Sequence, residues 1–358
     1  MSVVTVLGGG GGGLSAVVEL TQAGHEVRLW NRNERTIAPY LERQVPHAGV
    51  LGKGRAEPAL VTTDLAAALA GAEVVVVCLP SLAHGRLFDD LAALGLDLPV
   101  VLNPGHTGGA LHARGVFLER GARLPPLAEL STLTYVARVG SDATVGITGR
   151  AARVRAAALP GGSEALDWAQ RLFPGADPVP DVLASSLSNV NLVLHPPGAV
   201  LGLAWVEATG GDFTFYVEGM TPAVAAVMAA LDDERRAVAR RFGHDVPSLL
   251  QEMAGIGTVE PAAAEVGDLC AAIRGGEANK AIRAPGSTEH RYYREDLYFG
   301  LLPFLALAEV GGVDTPAAAA LFALGDLAVD APAEARLDAR ALGVDGLTAD
   351  ELLAVVRP

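Results

Sequence analysis

Hydrophobic and polar positions in the N-terminal half fall into blocks that predict strands separated by helices. Val3-Val4-Thr5-Val6-Leu7 is a mostly β-branched apolar run, the composition of a buried strand. Six consecutive glycines, Gly8 to Gly13, come next, and Leu14 to Ala23 then reads as a helix that Gly24 ends. His25-Glu26-Val27-Arg28-Leu29-Trp30 predicts a second strand. Together these segments fill about thirty residues, the size of a βαβ unit. Val74 to Leu79 is apolar throughout and stops at Pro80, the pattern of a central parallel strand. Val100-Val101-Leu102, closed by Asn103-Pro104-Gly105, predicts another. Strands alternating with helices imply an α/β fold with a doubly wound parallel sheet of the Rossmann type.

The pattern changes at Phe173 to Pro180, where Pro174, Gly175, Pro178 and Pro180 predict a linker. Two domains are expected: a dinucleotide-binding Rossmann domain over 1–178 and an all-helical substrate-binding and catalytic domain over 179–358. Thr221-Pro222 places an N-cap and a first-turn proline before a helix running to Phe242, with Gly243 just past its end. Val224, Val227, Met228 and Leu231 keep helical spacing there, and Asp232 is positioned to pair with Arg236. Thr315-Pro316 predicts another helix start of the same kind. Helical spacing also puts Ser188, Asn191 and His195 on one face, and Pro196-Pro197 predicts a break directly after His195.

Composition narrows the function classes. The chain has 358 residues, 50% of them hydrophobic, and a mean hydropathy of +0.32. That length suits two domains with packed cores. No apolar run reaches the length of a membrane span; Val74 to Pro80 and Leu301 to Ala308 suit buried elements. The start lacks the basic segment of a secretion signal, so a cytoplasmic protein is expected. Cys78 and Cys270 are too few for a disulfide framework or a zinc cluster, and the histidines lack metal-ligand spacing. A net charge of −14 argues against a nucleic-acid partner. An acidic chain that binds anions must gather its positive groups locally, which directs attention to isolated arginines.

Gly8, Gly10 and Gly13 satisfy G-x-G-x-x-G between a predicted strand and a predicted helix, the context the fingerprint requires. The first glycine allows the tight turn, the second lets backbone approach a diphosphate, and the third permits close helix–strand packing. The helix start adds unpaired N–H donors and the positive end of its dipole. Gly11 and Gly12 belong to the same cradle. At the end of the second strand an acidic residue would favour NAD, but the chain has Asn31 and Arg32. Arg32 can meet a 2′-phosphate, which tilts the cofactor toward NADP over NAD.

Two segments of the second half carry candidate chemistry. His195 sits where prolines interrupt a helix, and a histidine can exchange a proton near neutrality. On position alone it is equally a buried residue bonded to a backbone carbonyl. Glu289 to Asp296 packs three carboxylates, two arginines and a histidine into eight residues. An arginine there can clamp a carboxylate, although such runs are commonly solvated surface.

In order and spacing these segments resemble the opine dehydrogenase family, which includes octopine and nopaline dehydrogenases. The resemblance covers nearly the whole chain. It rests on the glycine turn, Leu79-Pro80 with His84, Asn103-Pro104-Gly105 with Gly108-Gly109, and Glu129 with Thr134-Tyr135 and Arg138. It continues through Asn189-x-Asn191-x-x-x-His195-Pro196, Phe215-Tyr216-x-Glu218-Gly219-x-Thr221-Pro222, Asp233-Glu234-Arg235, His290-Arg291-Tyr292 and Glu295-Asp296. Family members join an amino acid to a 2-oxo acid and reduce the resulting imine with NAD(P)H. The resemblance implies that His195 exchanges the proton, Asp296 is its partner, Arg291 holds the 2-oxo acid carboxylate, and Asn191 lies on the substrate side. It also implies that Leu79 and Pro80 join Asn31 and Arg32 in cofactor binding. The partners implied are the two small substrates, with no nucleic acid and no membrane, and a homodimer is admitted. A hydroxyacid or glycerol-3-phosphate type dehydrogenase would instead need a catalytic lysine, for which the second half has only Lys280. A non-catalytic NADP-binding protein would need neither His195 nor Asp296.

Overall fold

The structure, a computed structural model, describes residues 1–329, 331–332 and 336–357. The chain divides into two compact units, Met1–Gly105 with Val116–Pro180 and His106–Gly115 with Asp181–Pro358.

The first unit carries two sheets. Strands β1 (Val3–Leu7), β2 (Glu26–Trp30), β3 (Val45–Gly49), β4 (Gly54–Ala56), β5 (Leu60–Thr62) and β6 (Val74–Val77) lie in its first half. They are followed by β7 (Val100–Leu102), β8 (Leu127–Leu130), β9 (Tyr135–Val139), β10 (Val145–Arg150), β11 (Val154–Ala158) and β12 (Ala176–Pro178). The main sheet has the order β12-β11-β8-β7-β6-β1-β2-β5. All its neighbours run parallel except β11 against β8. This is the doubly wound sheet expected, with one antiparallel pair. Its central strands bury their side chains on both faces, as the continuous valines of β6 require.

Three features differ from the sequence pattern. Helix α1 (Gly11–Gln22) begins at Gly11 rather than Leu14. Tertiary packing overrides the poor helix propensity of glycine there, because a Cβ on Gly11 or Gly12 would crowd the Ala137 carbonyl or the Leu133 side chain. The expected linker contains β12, which pairs in parallel with β11. It is an edge strand, where Pro178 and its missing N–H are tolerated. The small sheet β4-β3-β10-β9 was not foreseen, since its strands are short and partly exposed and form no apolar run.

In the second unit the described secondary structure is overwhelmingly helical. Asn191–Leu201 is one helix that contains both Pro196 and Pro197. The break therefore falls not at His195 but at Gly202, where a Cβ would meet the Gly198 carbonyl at 2.6 Å. Complete burial of the His195–Ala199 stretch holds the helix together through the two N–H groups that proline lacks. Ser188 does not share the face of His195; it lies before this helix and its hydroxyl donates to the Ala184 carbonyl at 2.8 Å.

The Pro222–Arg241 helix is capped by Thr221, whose hydroxyl oxygen accepts from the Val224 N–H. Asp232 pairs with Arg235 at 2.6 Å, one turn away, rather than with Arg236. Arg235 points inward and is fully buried. It also donates to the carbonyls of Leu187 and Pro247, while Asp232 accepts from Leu249. The start of Pro316–Ala328 is likewise different: Thr315 makes no side-chain cap. Glu234 replaces it, accepting from the Ala317 and Ala318 N–H groups at 2.6 and 2.9 Å. No helix of the described residues is long and apolar enough to cross a membrane.

Candidate active site

The glycine turn in the first unit is shaped by close contacts. Gly8 has φ +129°, and a Cβ on it would lie 2.4 Å from the Cys78 carbonyl oxygen. A Cβ on Gly13 would lie 1.8 Å from the Gly8 carbonyl oxygen, so helix and strand can meet only through glycine. Around Gly10 the space is open, with nothing within 4 Å of its Cβ position. Gly10 is the N-cap of α1 and makes no side-chain cap bond. An open backbone cradle at the start of a helix of this length fits a dinucleotide diphosphate.

Asn31 braces the turn: its Oδ1 accepts from the Gly9 N–H at 3.1 Å and its amide donates to the Asn33 carbonyl. Trp30, Asn31, Arg32, Asn33, Leu79 and Ala83 line a cavity in the same unit, together with Arg86, Leu87 and Asp90. Asn31, Arg32 and Leu79, three of the residues expected to bind cofactor, line this one cavity, and Pro80 is not among its lining residues. Arg86 was not singled out. It lies on the helix after β6, more than fifty residues along the chain, and only the fold brings it beside Arg32.

In the second unit His195 is held at both ring nitrogens. Nδ1 lies 2.8 Å from Asp296 Oδ2 and Nε2 lies 2.7 Å from the Tyr216 hydroxyl. Tyr292 stacks on the imidazole, with ring centroids 4.1 Å apart and planes at 27°. Tyr216 also lies 3.2 Å from the Tyr292 hydroxyl. All four side chains are buried. Asp296, acting as acceptor only when ionised, fixes the proton of the neutral imidazole on Nδ1, so that Nε2 accepts from the Tyr216 hydroxyl. Burial, then the neighbouring Tyr292 and Asp296, raise the Tyr216 pKa well above its ordinary value.

Arg291 immediately precedes the stacked Tyr292. Its Nε lies 3.0 Å from Glu295 Oε2, and its side chain is 41% exposed. Desolvation opposes its charge, but the Glu295 and Asp296 carboxylates outweigh that and raise its pKa. Glu295 is itself 2% exposed and faces His106 Nε2 at 3.3 Å. His106 holds a left-handed backbone, φ 57°, which is rare for a residue with a Cβ. The adjacent carboxylates Glu295 and Asp296 therefore each hold a group able to carry positive charge. A π-helical turn, Leu297–Leu301, follows them directly, a feature frequent at functional sites.

Asn191 is half-buried at the start of the His195 helix, and its N–H donates to Asn189 Oδ1. It shares the helix of His195, one turn before it. Lys280, the residue a hydroxyacid-type reading would need, is half-exposed and paired with Glu277. Sequence reasoning missed Tyr216, Glu295 and His106 as site residues. Phe215-Tyr216 and Glu295 were visible within family motifs, but nothing in their spacing pointed to His195 or Arg291.

Residues 178–329 match the family model of the NAD/NADP octopine/nopaline dehydrogenase α-helical domain, and residues 3–103 match that of the NAD-dependent glycerol-3-phosphate dehydrogenase N-terminus. An opine dehydrogenase of Arthrobacter sp. (strain 1C) is 31% identical over 98% of both chains. An octopine dehydrogenase of Mizuhopecten yessoensis is 24% identical over 73% of this chain and 71% of its own. Among solved structures, an octopine dehydrogenase with NADH and L-arginine superposes with a TM-score of 0.78 at 21% identity, covering 99% of this chain and 98% of that one. A yersinopine dehydrogenase with NADP+ gives 0.75 at 17% identity, covering 99% and 97%. With a full-length relative above 30% identity and this fold, the chain belongs to the opine dehydrogenase family and is an NAD(P)-dependent oxidoreductase.

Proposed function

We propose that this protein condenses an amino acid with a 2-oxo acid and reduces the resulting imine, with His195, Asp296 and Arg291 as its working residues. The observation that carries this reading is His195 clamped by the buried Asp296 carboxylate. Bound NAD(P)H supplies the hydride that reduces the imine carbon.

Each step before that needs proton handling. The amine nitrogen adds to the oxo carbon and loses a proton; the former carbonyl oxygen then gains protons and leaves as water. A histidine that accepts in the first step and donates in the second serves both. Asp296 stabilises the imidazolium that forms between them and holds the ring in one tautomer. Arg291, with its Nε facing Glu295 and its side chain partly exposed, offers a fork for the carboxylate of the oxo acid. Holding that end fixes the angle at which the carbonyl meets the amine.

For the cofactor we propose a preference for NADP over NAD, supported by two guanidinium groups, Arg32 and Arg86, lining the cavity beside Asn31. We place the reaction in the cytoplasm and in a homodimer, the latter supported by the exposed Leu324 and Leu327. Light scattering on the purified protein checks the dimer.

A glycerol-3-phosphate type reaction is less well supported. The family-model match of that kind covers residues 3–103, and Lys280 is occupied at the surface. The test is NAD(P)H oxidation with amino acids and 2-oxo acids, separately and paired. Oxidation is expected only with pairs. Oxidation by a 2-oxo acid alone, at a rate no amine alters, would replace this reading with a hydroxyacid dehydrogenase.

A further inference from the structure

His195 presents no unoccupied polar atom: Nδ1 faces Asp296 and Nε2 faces Tyr216 at 2.7 Å. Substrate must either displace the Tyr216 hydroxyl from Nε2 or receive its proton through that hydroxyl. The surroundings of Tyr216 decide between these. Its residue is 4% exposed, and its ring packs edge-on against Phe215 with centroids 5.2 Å apart. The backbone beneath is pinned by the Phe215 N–H to the Ile282 carbonyl at 2.9 Å and by the Thr214–Arg283 bridge. The ring is fixed, whereas the O–H bond turns freely about the C–O axis. A phenol can make three hydrogen bonds; Tyr216 makes two, to His195 and Tyr292. That leaves the hydroxyl the capacity for one further hydrogen bond.

We propose that Tyr216 is a catalytic residue that relays the proton between His195 and the substrate, a role that rests on the assignment of His195 above. When the amine adds to the carbonyl, its N–H proton passes to the Tyr216 oxygen while the Tyr216 proton passes to His195 Nε2. When water leaves, the sequence reverses. Nε2–H is given up to the Tyr216 oxygen and the Tyr216 proton passes to the former carbonyl oxygen, which becomes a hydroxyl; the second amine N–H proton then travels the same path out and back, so that the hydroxyl departs as water as the C–O bond breaks and the C=N bond forms. Tyr216 ends each step as a neutral phenol. Its raised pKa suits this, because a group that kept an ionised form would trap the proton.

The test pairs Tyr216→Phe with His195→Ala and reads kcat, KM and NADPH affinity. Tyr216→Phe is expected to lose at least about 100-fold in kcat, the scale of general acid–base help, with NADPH affinity unchanged. His195→Ala should lose at least as much. If Tyr216→Phe stays within about threefold while His195→Ala is inactive, the relay is overturned and the function stands. If His195→Ala keeps full turnover, the underlying assignment fails as well. Should Tyr216→Phe not fold, the wild-type enzyme still decides. In mixtures of light and heavy water at saturating NADPH and limiting amine, two protons in flight give a curved dependence of rate on deuterium fraction. A straight line would contradict the relay.

Discussion

In the proposed reaction a single imidazole carries most of the chemistry, and its neighbours explain how. His195 is fixed by a carboxylate on one nitrogen, a phenol on the other and a ring on its face. Removing the carboxylate by Asp296→Asn should leave NADPH binding intact and cut kcat by at least about 100-fold, because the imidazolium loses its counter-charge; an unchanged kcat would remove Asp296 from the dyad. At the cofactor end, Arg32→Ala and Arg86→Ala should each weaken NADPH about tenfold or more and leave NADH nearly unaffected, the loss expected for a charge-assisted hydrogen bond. Equal losses for both cofactors, measured by fluorescence titration, would exclude the 2′-phosphate. The residues legible in the sequence were those bound by chain-local geometry, such as the glycine turn and the Asn31-Arg32 tip. His195, Arg291 and Asp296 became legible together only through the family pattern. Arg86, Tyr216 and His106 meet their neighbours across distances along the chain that no local spacing encodes.

Elements behaved as expected where burial and capping agreed, and departed where tertiary contacts supplied what the local sequence lacked. The Thr221-Pro222 start is capped by its own threonine. Thr315-Pro316 has the same two residues, yet Glu234 from the neighbouring helix takes over the cap. Glu234→Ala therefore leaves two N–H groups without acceptors and should cost about 1 kcal/mol, a typical cap loss, read as a lowered melting temperature. Thr315→Val should have little effect; a larger loss for Thr315→Val than for Glu234→Ala would reverse the assignment. The helix through Pro196 and Pro197 shows the same principle. Local rules predict a break, but burial of the stretch around the prolines keeps His195 on a continuous helix.

At the scale of the molecule, the second unit is tied together by Asp181. Its fully buried carboxylate faces His244 Nε2 and Arg357 Nε, each at 2.8 Å, joining the start of the unit to its last turn. Burial alone would raise the Asp181 pKa, but hydrogen bonds from His244 and Arg357 outweigh it and lower the pKa. A carboxylate depressed in the folded state adds stability that is fully present above its unfolded value, about 3.9, and fades as pH falls through the folded value. Asp181→Asn should lower stability by roughly 3 kcal/mol near neutrality. The gap in melting temperature to the wild type should hold steady above about pH 4 and shrink below it. A gap independent of pH down to strong acid would contradict the linkage.

The same scale holds the central claim, that a cofactor cradle in one unit and a proton-handling histidine in the other serve a condensation rather than a simple reduction. Mass spectrometry of the product made from an amino acid, a 2-oxo acid and NADPH tests this most directly. The account predicts a secondary amine whose mass equals the two substrates together less one oxygen. A product with the mass of the oxo acid plus two hydrogens, and the amino acid recovered unchanged, would contradict it.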